Sequence, residues 1–255
     1  MAGHSKFKNI MHRKGAQDKK RAKLFSRLIR EISVSTKLGS PDPASNPRLR
    51  TAINNALSSN MTKDTIDKAI KKNSSNDDKN SIEEITYEGF GPAGVAVIVE
   101  IMTDNRNRSA SEVRSTFSKY NGNLGISGSV KHNFKKVGII SYPNTLTSFD
   151  SFFEFCINLD VNDVVENNDS FDVETNLELH AKILENLEKK YSVAKFSSIE
   201  WKPINSIEIS NEDEAKGLIL LLEKLEELDD VQNVFSNFNI NDLLMEKLIW
   251  LIQIN

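Results

Sequence analysis

The chain has 255 residues, 38% hydrophobic and 27% charged, with a net charge of -3. That balance excludes a disordered protein, and no apolar run reaches the roughly 18–20 residues needed to cross a bilayer. The single cysteine, Cys156, excludes an internal disulfide and a multi-cysteine zinc site. The small net charge hides a segregation. Residues 1–80 carry 18 basic and 7 acidic side chains, whereas residues 81–255 carry 15 and 29. A cationic front on an acidic body favours one oriented docking surface.

The first 30 residues hold ten Lys or Arg and one acid, Asp18. Lys6, Lys8, Arg13, Lys14 and Lys19 fall in a basic arm with no steady apolar period. From about Asp18 a helix is predicted. Ala22, Phe25, Leu28, Ile29 and Ile32 form its apolar stripe. Lys20, Lys23, Arg27 and Arg30 recur at the same steps on nearly the opposite face, and Arg21 is a further candidate cation of this helix. A row of cations of nearly unmixed sign suits a polyanion. No apolar segment opens the chain, so no secretory signal is expected, and a reducing, cytoplasmic setting is.

Asn46-Pro47 reads as an N-cap followed by proline at the first helical position, and Arg48 lies in that first turn. Leu49, Ala52, Ile53, Ala56 and Leu57 give this second helix an apolar face. Thr62 caps a third, which ends in Lys71-Lys72. The polar run 73–80 is a linker.

Ile82 to Glu88 reads as a strand. Gly89-Phe-Gly-Pro-Ala-Gly94 matches G-x-G-x-x-G, but the β-branched run Val95 to Ile101 follows it. A dinucleotide site needs a helix there, so the glycines are read as a bend between two strands. The polar loop Thr103 to Ser109, with Arg106 and Arg108, leads into a helix with Ala110, Val113 and Phe117 inward. Those two arginines are a candidate second phosphate contact. Gly122 to Val130 is expected to be irregular.

From Phe134 the order becomes strand (138–142), helix (around Phe149 to Cys156), two strands (161–166 and 171–175), helix (177–191) and strand (193–199). This is the β-α-β-β-α-β or ferredoxin-like plan. Then come a strand at Ile207 to Ile209, a helix from Asn211 with an acidic outer face, and a strand at 231–238. This tail is expected to complete the unit begun at residue 82. The fold expected is α+β with three domains: a helical bundle (1–80), an α+β domain (81–133 and 204–240) and an inserted ferredoxin-like domain (134–203). An apolar tail (241–255) follows, too short to span a membrane.

No catalytic constellation, cofactor site or metal site is legible. His4, His12, His132 and His180 are scattered, and Cys156 sits on an apolar helical face.

Five stretches resemble the YebC family, which includes the mitochondrial translational activator of cytochrome c oxidase subunit one. They are AGHSKFKNIMHRK (from Ala2), DPASNPRLRTAINNAL (from Asp42), YEGFGPAG (from Tyr87), TDNRNRSASEVR (from Thr103) and GNLGISGSV (from Gly122). They occur in the family's order from Ala2 to about Ile240. Phe7 stands where the family usually has Trp, and residues after Asp242 do not resemble family C-termini. The resemblance implies three domains, one inserted in another. It also implies a nucleic-acid-linked regulatory role, through DNA or through ribosomal RNA and the ribosome; with no catalytic constellation legible, an enzyme is not expected. The acidic body is free to face a protein partner, and no membrane partner is expected.

Overall fold

The computed structural model describes residues 17–74, 82–241 and 244–245, and in 17–20 only the backbone. The basic arm before Gln17, the linker 75–81 and most of the apolar tail lie outside the described residues. These residues fall into two units, one holding 82–135 and 201–245 and the other 20–74 and 136–200.

The second unit begins with three helices. α1 spans Gln17–Leu38, α2 Pro47–Ser58 and α3 Lys63–Asn73. Their boundaries follow from local chemistry. Asn46 Oδ1 accepts from the Leu49 amide and places proline at the first helical position of α2, and Thr62 Oγ1 accepts from Thr65 at α3. Asn60 takes a positive φ of 62° between them. Leu28, Ile32, Leu49, Ala52, Ala56, Met61, Ile66 and Ala69 form the bundle core. Ala22, expected inward, is exposed. The α1 stripe instead continues toward the C-terminus, where Ser33, Val34, Ser35 and Thr36 are all buried. Their hydroxyls disappear from solvent without loss, because Ser33, Ser35 and Thr36 donate to carbonyls one turn back, at 2.8, 2.7 and 2.7 Å.

The same unit holds a four-stranded sheet. Its strands are β4 (Phe134–Pro143), β5 (Asp163–Glu166), β6 (Ser170–Thr175) and β7 (Phe196–Pro203), in the order β5-β6-β4-β7. With α5 (Phe149–Ile157) and α6 (Leu177–Tyr191), this is the ferredoxin-like plan. The alternating residues Ile140, Tyr142, Phe171 and Val173 meet Phe152, Cys156, Ile183 and Leu187 in one core. Burial pushes the Cys156 thiol up to about 12, as suits a small apolar filler. The last strand starts at Phe196 rather than Val193, because Ser192 turns the chain with a φ of 71°.

α2 is fixed to the edge strand β7. Asn55 Nδ2 donates to the Ser197 carbonyl at 2.8 Å and Asn55 Oδ1 accepts from the Ser197 amide at 3.0 Å. The side-chain amide thus imitates a neighbouring strand. Behind it, the His180 ring reaches Thr175 Oγ1 at 2.9 Å and Ser197 Oγ at 3.0 Å. It lies so close to β4 that a Cβ on Gly138 would stand 2.0 Å from His180 Nδ1.

In the first unit, β1 (Glu83–Phe90) and β2 (Ala96–Thr103) form an antiparallel hairpin. Its turn is a 3-10 segment, Pro92–Gly94, with Ala93 and Gly94 at φ 57° and 73°. The glycine run is therefore a strand bend, as expected, and no helix follows it. Next come α4 (Arg106–Lys119) and β3 (Asn123–Leu124). After the ferredoxin-like segment come β8 (Ile207–Ile209), α7 (Glu212–Glu227), β9 (Val231–Ser236) and β10 (Phe238–Ile240). The sheet order is β3-β1-β2-β9, so β9 closes the sheet opened at residue 83, and β8 pairs with β10 in parallel. Val113 and Phe117 from α4 and Leu218, Leu221 and Leu222 from α7 cover one face. Val130, Phe134 and Trp201 cover Ala96, Ile98 and Phe235 on the other. Of the apolar tail, Met245 is buried and Leu244 packs on this core.

Candidate nucleic-acid interface

The helix α1 is the element around which the expected cations gather. Its 22 residues make a rod about 33 Å long at 1.5 Å per residue. The N-terminal half is held by Phe25, Leu28 and Ile29 against the bundle core. That leaves the opposite side for charge. Arg21 is exposed and lies over the Phe25 ring at 5.3 Å from its centroid, so its charge stays at the surface while its stem covers apolar area. Lys23, Arg27 and Arg30 are each partly exposed. From Lys20 to Arg30 the row covers about 15 Å, or about four base steps of one strand at 3.4 Å each. Lys19 and Lys20 belong to the helix by backbone, with side chains outside the described residues, as are Lys6, Lys8, Arg13 and Lys14 altogether.

Arg48 stands in the first turn of α2. Its Nε and Nη2 donate to the two carboxylate oxygens of Glu31 on α1, at 2.7 and 3.1 Å. The forked pair ties the two helices together at the surface and balances the Arg48 charge. Arg50, which the sequence reading did not single out, is exposed two residues later.

Arg106 and Arg108 belong to the first unit and open α4. Asn105 caps this helix by accepting from the Arg108 amide at 3.1 Å. Arg106 is exposed. Arg108 has a different setting. One Nη2 donates to Asp104 at 2.9 Å and to Asp230 at 2.8 Å. Asp230 is only 3% exposed and also accepts from Thr103 Oγ1 at 2.9 Å and Ser109 Oγ at 2.6 Å. The hydrogen bonds that Arg108 donates to Asp230 and Asp104 raise its pKa well above its ordinary value. The guanidinium is thus the lid of a carboxylate clamp that fixes the start of α4 to the start of β9. A sequence reading misses the clamp because Asp230 lies over 120 residues from its partners.

A second buried carboxylate went unnoticed for the same reason. Glu88 on β1 is 2% exposed and accepts from the amides of Gly128, Val130 and Lys131 at 2.7, 2.9 and 3.0 Å. Burial alone would raise its pKa. The three amides and the Lys131 ammonium, 3.5 Å away, outweigh that and lower it. This carboxylate shapes the 124–131 loop.

Among the described residues no group of three or more His, Cys, Asp or Glu could hold a metal ion, and no helix is long and apolar enough to cross a membrane. His180 is half-buried, has its pKa lowered by that burial, and is bonded to two hydroxyls.

Comparisons with known proteins agree with this architecture. Residues 5–76 match the family model described as the TACO1/YebC protein N-terminal domain, and residues 82–238 match the one described as the TACO1/YebC second and third domain. A probable transcriptional regulatory protein of Rickettsia bellii is 50% identical over 248 residues, 96% of this chain and 97% of that one. One from Rickettsia canadensis is 50% identical over 245 residues, 95% of this chain and 96% of its own. The crystal structure of a conserved hypothetical protein from Aquifex aeolicus superposes with a TM-score of 0.82 at 45% identity, covering 87% of this chain and 91% of that one. Family models cover nearly the whole chain, and relatives at half identity match end to end, so the chain belongs to the TACO1/YebC family.

Proposed function

We propose that this protein is a non-enzymatic, nucleic-acid-binding regulator of gene expression that works in the cytoplasm and grips its target through the cationic side of α1. The observation that carries the reading is the division of that helix: an apolar side in the bundle core and a row of Lys23, Arg27 and Arg30 on the other. The relatives' description as probable transcriptional regulatory proteins supports a regulatory role. Arg50 adds an exposed charge on α2, Arg21 one on the Phe25 side of α1, the basic arm adds Lys6, Lys8, Arg13 and Lys14, and Arg106 supplies a contact on the first unit. Arg48 and Arg108 contribute mainly by holding helices in place, because carboxylates already balance them.

Phosphate contacts position a protein without reading sequence. No motif of a helix-turn-helix, zinc-finger or RNA-recognition type supplies base readout here. RNA, as found in the ribosome, is therefore the favoured target. Duplex DNA, the target that the relatives' name suggests, is the second reading, and an adaptor for a protein partner on the acidic body is a third. Competition at physiological salt among ribosomes, a random duplex and a candidate promoter separates them. Tighter ribosome binding with weakly selective DNA binding is expected. A promoter preference of about a thousandfold over random DNA, within the range of specific regulators, together with no ribosome binding, would overturn the RNA reading.

A further inference from the structure

The loop from Leu124 to Lys131 combines a pinned base with a bare tip. Five contacts hold the base. The Gly125 amide donates to the Glu88 carbonyl at 2.8 Å, the Glu88 carboxylate takes the amides of Gly128, Val130 and Lys131, and the Lys131 ammonium faces the same carboxylate. Val130 is fully buried in the core beneath. The tip is a tight turn. The Ser129 amide donates to the Ile126 carbonyl at 3.2 Å and Gly128 takes a φ of 87°, as a type II turn requires at its third position. Gly125 allows the two limbs to close, since a Cβ there would stand 2.4 Å from Ser129 Oγ. At the first position of the turn sits Ile126, 82% exposed, the most exposed large apolar side chain among the described residues.

An exposed isoleucine on a loose surface is ordinary. Here a buried carboxylate and two structural glycines hold it out on a fixed point, between Gly125 and the run Ser127-Gly128-Ser129 in the sequence. The charge around it indicates what it meets. Residues 121–136 contain three lysines and one histidine and no Asp or Glu, within a part of the chain where acids outnumber bases by 29 to 15. The one carboxylate that touches the loop, Glu88, is internal and already satisfied. An apolar point in a cationic, small-residue setting suits a nucleic-acid strand: the side chain enters between bases while the backbone comes close to sugars and phosphates. Proteins that force such a wedge into a paired step draw on a wide bent interface to offset the unstacking. One isoleucine on a narrow turn lacks that support, so an unpaired step in a loop or bulge, where stacking is already weak, is the fitting site.

We infer that Ile126 is an insertion point for an unpaired base step of RNA, held in register by the Glu88 carboxylate. The inference rests on the nucleic-acid reading above and adds a second contact with its own chemistry. The test uses the full chain, a 12-nucleotide single-stranded RNA carrying one 2-aminopurine, and the matching 12-base-pair duplex. Ile126→Ser is expected to weaken single-strand binding about tenfold and to abolish the fluorescence rise from unstacked 2-aminopurine, with duplex affinity and salt slope unchanged. Ile126→Leu should retain both signals. Glu88→Gln, which loosens the loop without touching its tip, should reduce the fluorescence change. If wild-type chain binds neither RNA, the parent reading fails together with this one. If binding depends on the α1 cations but Ile126→Ser behaves as wild type in affinity and fluorescence, this inference alone is wrong. Loss of affinity for a protein partner in that same variant would then assign the tip to protein instead.

Discussion

Replacing Asp230 with Ala should destabilise the first unit more than any single surface change. The carboxylate is 3% exposed and takes three hydrogen bonds, from Thr103, Ser109 and Arg108. Bonds to a charged acceptor contribute about 1.5–3 kcal/mol each. Two of the three donors are buried hydroxyls. They recover part of the loss, because Ser109 Oγ also lies 2.8 Å from Thr103 Oγ1 and 3.2 Å from the Asn105 carbonyl. The Arg108 side chain is 45% exposed and keeps Asp104, so its share is discounted for solvent screening. The net expectation for Asp230→Ala is about 3 kcal/mol. With a urea slope of about 2 kcal/mol/M, the midpoint should fall by about 1.5 M. Tryptophan fluorescence reports the unit through Trp201, which packs on it and donates to Glu100 at 2.9 Å. Arg108→Ala should cost less than Asp230→Ala, and the double variant should cost less than the sum of the two. A loss under 0.5 kcal/mol for Asp230→Ala would refute the clamp.

Gly138→Ala should be more damaging still, because its Cβ would stand 2.0 Å from His180 Nδ1 and 2.4 Å from Thr175 Oγ1; His180→Ala in the same chain should recover part of the melting temperature. His180 itself sets a pH dependence. Burial lowers its folded pKa below the ordinary 6.5, so its contribution is complete above about pH 6.5 and is lost as pH falls toward the folded value. Melts between pH 5 and 7.5 should show this slope in wild type and a smaller one in His180→Gln. Asn55→Ala removes both bonds to Ser197 and should cost about 1–2 kcal/mol in urea unfolding followed by circular dichroism. Cys156 should resist a thiol reagent at pH 7 until the protein unfolds, since its thiol is buried and pushed up to about 12.

The parts of this fold that rest on local chemistry were legible in the sequence. Asn46 and Thr62 act as helix caps where their side chains and the following apolar periods placed them, and the helix expected from about Asn211 starts there, with Asn211 as its cap. The strand-turn-strand character of 83–103 followed from the β-branched run after the glycines. The β5-β6-β4-β7 order followed from the β-α-β-β-α-β plan. Features that join distant segments were not legible. Glu88 and Asp230 look like surface acids in the sequence, and only folding brings amides and hydroxyls around them. Ser33, Ser35 and Thr36 look like a polar helix end, and their burial depends on bonds to their own helix. Of the candidate site, the cationic row was visible as a period. That Arg48 and Arg108 are balanced by carboxylates was not, because Glu31 and Asp230 lie far from them in the chain.

Salt dependence decides whether the α1 cations neutralise nucleic-acid phosphates. Each phosphate neutralised on a duplex contributes about -0.9 to the slope of log affinity against log salt. About six contacts from the arm and α1 should give roughly -5. Replacing Lys20, Lys23, Arg27 and Arg30 together with Gln should make that slope shallower by about 3.6 at most, with far-UV circular dichroism unchanged. An unchanged slope in a folded quadruple variant would contradict the account.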